Sequence, residues 1–441
     1  MAKYKKTIVV CFILLGLYLA TRLINLTLLP IFTDEAIYIR WSQIALQDQA
    51  QRFISLTDGK QPLFVWLAML SLKLFSDPLF AGRIISVFAG LVSLAGITLL
   101  SWRLFGRKAA FWASLLYIVS PFFIFYDRLA LYDSLTDAFM IWALLLQVLL
   151  IQTLRLDTAL ILGLVMGGAW LTKSSADFAL YLLPGSLLLF NWSSPGRWRR
   201  LGKWLSLAII AVLIGLLLRT IIRLSPAQHM VILKNATFIV PFSEFFLTDA
   251  WARFRGNFQG LTNWIQIYLT WPWLVALIPS LWFGLKHYRR PTLLLFGWFA
   301  GPLLALAAFG LILYPRFILF MTFPLLIILA LGLAALSRQL KHHWLTALGF
   351  SLISAHALYF SSQIIVNPVT APLPKVDRDQ FLDDWPAGYG INEVIVFLKQ
   401  EIKTKKVYVA TEGTFGLTPY ALDIYLHDIP NLTIQGYWPI N

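Results

Sequence analysis

Cysteine is all but missing from this sequence: Cys11 is the only one among 441 residues. That excludes an intramolecular disulfide and any zinc site built on thiolates. Charge is scarce as well. Asp, Glu, Lys and Arg make up 13% of the chain, about half the share in an average soluble domain. Hydrophobic residues make up 59%, so a soluble globular protein is excluded. Acidic residues are the rarer sign, 21 against 36 Lys and Arg, for a formal net charge of +15. In a membrane protein such an excess collects in cytoplasmic loops, and no nucleic-acid partner is expected from it. No metal site is expected at His342 and His343, which adjoin a basic loop with no carboxylate or Cys nearby to complete one. No internal repeat of the transporter kind is visible.

What is present is a succession of apolar segments near twenty residues, each long enough to cross roughly 30 Å of hydrocarbon. The first, Thr7 to Leu29, follows Lys3, Lys5 and Lys6. It is longer than a signal-peptide core and no small-residue cleavage site follows, so it reads as a retained span. Basic clusters orient the chain. Lys3/Lys5/Lys6, Arg103/Arg107/Lys108, Arg197/Arg199/Arg200/Lys203, Lys286/Arg289/Arg290 and Arg338/Lys341 should all be cytoplasmic. Pro62 to Phe75 decides whether they can be. It is apolar but only about fourteen residues long, short for a span. If it re-enters or lies in the interface, every cluster falls inside. The spans then run approximately over 7–29, 82–102, 109–126, 135–154, 158–172, 176–191, 204–224, 263–285, 292–313, 317–336 and 344–366. That is about eleven, with the C-terminus outside. The expected fold is an all-α polytopic membrane domain over residues 1–366, with a small extracytoplasmic α/β domain over 367–441.

Two outer segments are large. In the loop Pro30 to Gly82, Ile37, Trp41, Ile44 and Ala45 share one helical face while Gln43, Gln47 and Gln51 lie mostly on the other. The pattern predicts a helix along the membrane surface. The tail predicts a helix over Ile391 to Lys403, a strand over Val407 to Ala410, a helix over Thr418 to His427 and a strand over Leu432 to Gln435. About 75 residues make a marginal core, so this domain reads as a separate and incomplete soluble piece. The turn Glu412-Gly413-Thr414-Phe415-Gly416 reads as a plain strand-to-helix turn rather than a phosphate cradle.

Carboxylates gather on the outer side. Asp34 and Glu35 open the surface helix, where both suit an N-terminus. The third span ends in Tyr126-Asp127-Arg128, with Asp133 and Asp137 soon after. Two carboxylate groups meeting at one interface serve general-base chemistry and acceptor positioning. They must be solvated or paired there, and Arg128 is the nearest partner in sequence. Facing them are Lys60 in Gly59-Lys60-Gln61-Pro62-Leu63, Lys173 in Leu171-Thr172-Lys173-Ser174, and Arg316 in Leu313-Tyr314-Pro315-Arg316-Phe317. All three break the positive-inside trend. Singly, such cations snorkel to headgroups or pair with carboxylates; together they could hold a lipid-borne phosphate at the membrane boundary.

These segments, in this order, resemble the GT-C glycosyltransferases. Thr33-Asp34-Glu35-Ala36, Gly59 to Leu63, Arg103-Leu104-Phe105-Gly106-Arg107, Ser120-Pro121 through Arg128-Leu129-Ala130-Leu131-Tyr132-Asp133, Leu171-Thr172-Lys173 and Tyr314-Pro315-Arg316-Phe317 carry the likeness. It spans about Met1 to Val366 and is nearest in pattern to protein O-mannosyltransferases and lipid A aminoarabinose transferases. The resemblance implies a sugar donor on polyprenyl phosphate, inversion at the anomeric carbon, and no nucleotide, metal or other cofactor. It implies that Asp34 is the general base and that Glu35 shapes the acceptor or sugar site. Asp133 would support the base or bind the sugar; Lys60 and Arg316, with Lys173, would neutralise the leaving phosphate. Tyr38, Asp127, Arg128 and Tyr314 complete the expected substrate-binding set. Gln61-Pro62 stands where many relatives carry two prolines, and the tail has no sugar-binding repeat, so protein, glycan and lipid all remain open as acceptors. The competing class is a transporter or flippase of lipid-linked or anionic solutes. It would place such charges near mid-membrane rather than at one surface.

Overall fold

The computed structural model describes residues 2–247, 249–340 and 342–438; Lys341, expected in a cytoplasmic cluster, lies outside them. Helix α1 (Ala2–Leu23) leads to an outer loop that opens with α2 (Thr33–Gln47). Then come the short α3 (Leu63–Ser71), the long α4 (Pro78–Phe105), α5 (Arg107–Val119), α6 (Pro121–Asp127), α7 (Tyr132–Thr153) and α8 (Leu156–Trp170). Further helices at Arg197–Arg219, Ala250–Leu269, Trp271–His287, Arg289–Phe309, Leu319–Gln339 and His343–Val366 complete the apolar part. Six described helices are long and apolar enough to cross a membrane, or up to eight if each of two bent pairs is one span. The three remaining expected spans fall on apolar helices shorter than that, Thr7–Leu23, Leu156–Trp170 and Ser174–Leu189.

Local chemistry explains the breaks. Nine residues of α3 rise about 14 Å, half of what a span needs, so the 62–75 segment does not cross as a single helix. Asp77 starts α4, its side chain accepting from the backbone N–H of Leu79 at 2.8 Å and of Phe80 at 3.2 Å, with Pro78 in the first turn. The expected spans 109–126 and 263–285 each run across a bend. The chain turns by 60° between α5 and α6 and by 100° between Ala250–Leu269 and Trp271–His287. Each second helix carries Pro in its first turn, where a missing N–H is harmless within the new helix but cannot continue the old one.

The tail follows its expected order, with a helix over Ile391–Glu401, strand β1 (Val407–Glu412), a helix over Leu417–Leu426 and strand β2 (Leu432–Tyr437). The strands pair in parallel from Val407 opposite Leu432 to Glu412 opposite Tyr437. The tail packs on the outer loop. Gln43 of α2, expected on a polar outer face, is buried and donates to the carbonyl of Ile424 at 2.9 Å. Ile37, Trp41 and Ala45 are buried as well, the Trp41 ring lying 6.0 Å from that of Phe415 in the tail. Helix α2 is therefore sandwiched between bundle and tail instead of lying free on a membrane surface.

Candidate active site

Two kinds of ionic cluster occupy the end of the bundle beside α2. The first is a sealed frame. Glu35 is wholly buried, and both of its oxygens are used. Arg83 donates to it through Nε at 2.8 Å and Nη2 at 2.7 Å, the backbone N–H of Ala130 at 2.7 Å and that of Phe32 at 3.0 Å. Arg83 also donates to the carbonyls of Leu26, Leu29 and Pro30. Glu35, expected to shape the acceptor or sugar site, is thus a corner of the scaffold that ties the start of α2 to α4 and to the turn before α7. Asp127 departs from expectation in the same way. It is buried, takes Arg22 at 3.3 Å as its ion-pair partner and accepts from the Tyr117 hydroxyl at 3.2 Å. Gly90 makes room for it, since a Cβ there would stand 2.5 Å from the Asp127 carboxylate. Arg128 does not pair with the carboxylates. It donates to the carbonyls of Thr21, Arg22, Ile24 and Asn25 at 2.7 to 3.2 Å, capping the end of α1 where helical carbonyls lack partners.

The second cluster is half-open. Arg316 donates to Asp34 at 2.7 Å across 282 residues of sequence, with 12% of the arginine and 22% of the aspartate side chain exposed. Aromatic faces line the guanidinium: Tyr314 at 5.2 Å, Phe32 at 5.8 Å and Phe317 at 5.9 Å. Lys173 donates to Asp133 at 2.5 Å and lies 4.5 Å from the Phe317 ring, which brings this pair beside Arg316. The Lys60 ammonium makes no hydrogen bond or ion pair among the described residues and lies 5.7 Å from the Phe238 ring. Its loop is pinned on both sides. Gly59 adopts φ +68° against the carbonyl of Met230, where a Cβ would come within 2.5 Å. Gln61 donates to Ser174 at 2.7 Å, and the Leu63 N–H donates to the Leu171 carbonyl at 3.0 Å. Those bonds join the Lys60 loop to the one bearing Lys173.

Burial alone would raise the Asp34 carboxyl, but attraction to Arg316 and Lys60, with hydrogen bonds from Arg316 and Tyr38, wins and holds it below its ordinary value. Burial lowers Lys60, reinforced by Arg316 and Lys173 and opposed by Asp34 and Asp58. Lys60, Lys173, Arg316 and Asp34 therefore share one electrostatic neighbourhood. Tyr38, expected to touch substrate, is buried among Trp41, Phe64 and Tyr132 and serves Asp34 from one turn along α2.

One member of this neighbourhood has no signal in the sequence. Asp377 lies in a four-residue helix, Lys375–Arg378, of the polar segment after the last apolar helix. It is 1% exposed. The hydroxyls of Tyr126, at 2.7 Å, and Tyr268 both donate to its Oδ2. The same segment grips the start of α2. Thr33 donates to the Pro386 carbonyl through its backbone N–H at 3.1 Å and its hydroxyl at 3.0 Å, and the rings of Phe32 and Phe381 are 4.4 Å apart.

Residues 59–219 match the family model of dolichyl-phosphate-mannose-protein mannosyltransferases. No curated protein sequence matches the chain. Solved structures do. ArnT from Cupriavidus metallidurans bound to undecaprenyl phosphate is 18% identical over 96% of this chain and 84% of its own, with a TM-score of 0.61. In the apo state the same protein gives 16% identity over 97% and 85%, with a TM-score of 0.62. The oligosaccharyltransferase AglB from Archaeoglobus fulgidus, in complex with an inhibitory peptide and a dolichol-phosphate, is 14% identical. It covers all of this chain (100%) and 62% of its own, with a TM-score of 0.54. The chain has the GT-C fold of these membrane proteins.

Proposed function

We propose that the protein is an inverting glycosyltransferase, moving a sugar from a polyprenyl-phosphate donor to an acceptor hydroxyl on the extracytoplasmic face of the membrane. The observation that carries this reading is the half-open cluster. A carboxylate stands within 2.7 Å of a fixed guanidinium, and a Lys with no ion-pair partner among the described residues shares the site. Asp34 takes the proton of the acceptor hydroxyl as its oxygen attacks the anomeric carbon from the side opposite the phosphate. The glycosidic C–O bond breaks and its electron pair passes to the phosphate. A phosphodiester with one negative charge thereby gains a second. Lys60 and Arg316 meet that charge as it develops and so stabilise the transition state more than the ground state. Lys173 adds to the same field while Asp133 holds it in place. Phosphate charge is met by side chains, so no metal is assigned a step. The undecaprenyl phosphate in ArnT and the dolichol-phosphate in AglB support the donor class.

The test is transfer by the purified protein from a panel of polyprenyl-phosphate sugars. The Asp34→Asn protein should keep its fold and lose turnover by about 10²–10⁴, the worth of a general base. Near-normal turnover in that variant would remove the assignment. The extracytoplasmic tail has its own check: in a Cys11→Ala background, a cysteine placed at Asn392 should react with an impermeant reagent in intact cells. Labelling only after permeabilisation would reverse the topology.

A further inference from the structure

Resting on the donor reading above, we propose that Asp377 is a positioning residue of this site, its carboxyl setting how much of the Arg316 charge is free to meet a phosphate. Three elements converge on it. Tyr126 at the end of α6 and Tyr268 near the end of Ala250–Leu269 both give their hydroxyls to one oxygen, Oδ2. The other oxygen, Oδ1, is buried with no hydrogen-bond partner among the described residues. The frame carboxylates look different: both oxygens of Glu35 are engaged by Arg83 or by backbone N–H groups, and Asp127, whose Oδ1 also lacks a partner, has Arg22 as its counter-ion.

Tyr126 and Tyr268 touch Asp377, and the charges of Arg316 and Asp133 act on it without contact. Arg316 thus sits in the field of three carboxylates, of which only Asp34 touches it. Packing relates them through two rings: Phe381, four residues beyond Asp377, lies tilted against Phe32 at 4.4 Å, and the Arg316 guanidinium lies 5.8 Å from the Phe32 ring. When Asp377 is ionised it adds a negative charge close to where a donor phosphate would lie. When it is protonated that repulsion is gone. Burial pushes the Asp377 carboxyl up to about 7, against the lowering effect of the two tyrosines and Arg316. The change of charge therefore falls near neutral pH rather than far below it. Protonation should favour donor binding, and ionisation should oppose it as pH rises.

The experiment measures the Kd of polyprenyl phosphomannose, with no acceptor present, for the full-length protein in nanodiscs between pH 6 and 8. A phosphodiester does not titrate in that range, so the pH dependence belongs to the protein. In the wild type the Kd should rise about three- to tenfold with pH, a modest effect for one added charge at partly screened range. Asp377→Asn should be flat near the wild-type low-pH value, since the amide mimics the neutral acid. Asp379→Asn, just past the same short helix, where the carboxylate is partly exposed and pairs with Lys375, should follow the wild type. Tyr268→Phe, which removes one donor to the carboxylate, should move the midpoint upward and gives a second arm if Asp377→Asn does not fold. Wild-type binding that ignores pH, or an Asp377→Asn profile parallel to the wild type, would overturn the inference alone. Absence of binding at every pH would overturn the donor reading and this inference with it.

Discussion

Asp34 and Glu35 are neighbours in sequence and opposites in circumstance. Glu35 is sealed, with no exposed surface and both oxygens engaged. Asp34 has one cation, an open side and a second cation nearby. The contrast extends over the end of the bundle beside α2. Arg83–Glu35 and Arg22–Asp127 are buried on both sides of the pair, whereas Arg316–Asp34 and Lys173–Asp133 keep part of their surface open. Arg and Asp occur in both sets, building a sealed frame in one place and a half-open cluster in the other. Exposure makes the difference. A charge pair sealed from solvent on both sides holds structure even where one oxygen lacks a partner, as Oδ1 of Asp127 does, while a pair with an open side can exchange one partner for another.

The sharpest way to break that contrast is to make the same change at both positions. Asp34→Asn should cost about 10²–10⁴ in transfer rate while shifting stability by only about 1 kcal/mol, as for a partly exposed pair. Glu35→Gln leaves the Arg83 charge buried without its counter-ion and should lose about 3–5 kcal/mol of stability. Thermal unfolding followed by tryptophan fluorescence in detergent separates the two. Equal melting temperatures for both variants would erase the distinction between frame and site.

A smaller effect is expected at Arg316. Arg316→Lys keeps the charge but loses the planar fork and its packing among Tyr314, Phe32 and Phe317. Turnover should fall about tenfold or more, with donor affinity less affected. An Arg316→Lys enzyme with wild-type kinetics would reduce the site to simple charge. Smallest of all should be Lys234→Met. Its bridge to Asp58 at 2.7 Å has both side chains about a third exposed, so the stability loss should stay within about 1 kcal/mol. A larger loss would mean that the Lys60 loop depends on that bridge rather than on the Gly59 and Gln61 contacts.

Much of this was legible beforehand, for identifiable reasons. Lys60, Lys173 and Arg316 stand out because each is a cation outside the basic clusters expected to be cytoplasmic, and the structure gathers all three around Asp34 and Asp133. The tail elements were legible because their periodicities are short and bounded by Gly and polar residues. The frame was misread because sequence proximity suggested Arg128 as partner to the aspartates. The better signal was Arg22 and Arg83, each in an otherwise apolar stretch, where an arginine must find a buried partner. The bends at Pro121 and Pro272 passed for continuous spans because hydropathy is blind to direction. Asp377 could not have been found at all. It is one of four aspartates between Lys375 and Asp384, and only the fold determines which one turns inward.

The central claim is that Lys60 and Arg316 converge on one donor phosphate beside Asp34. A cryo-EM structure of the protein in nanodiscs with polyprenyl phosphate bound would test it most directly. The account predicts phosphate oxygens within about 3 Å of both the Lys60 ammonium and the Arg316 guanidinium, with the Asp34 carboxylate facing the same cavity. A phosphate bound elsewhere, with neither cation within reach, would contradict it.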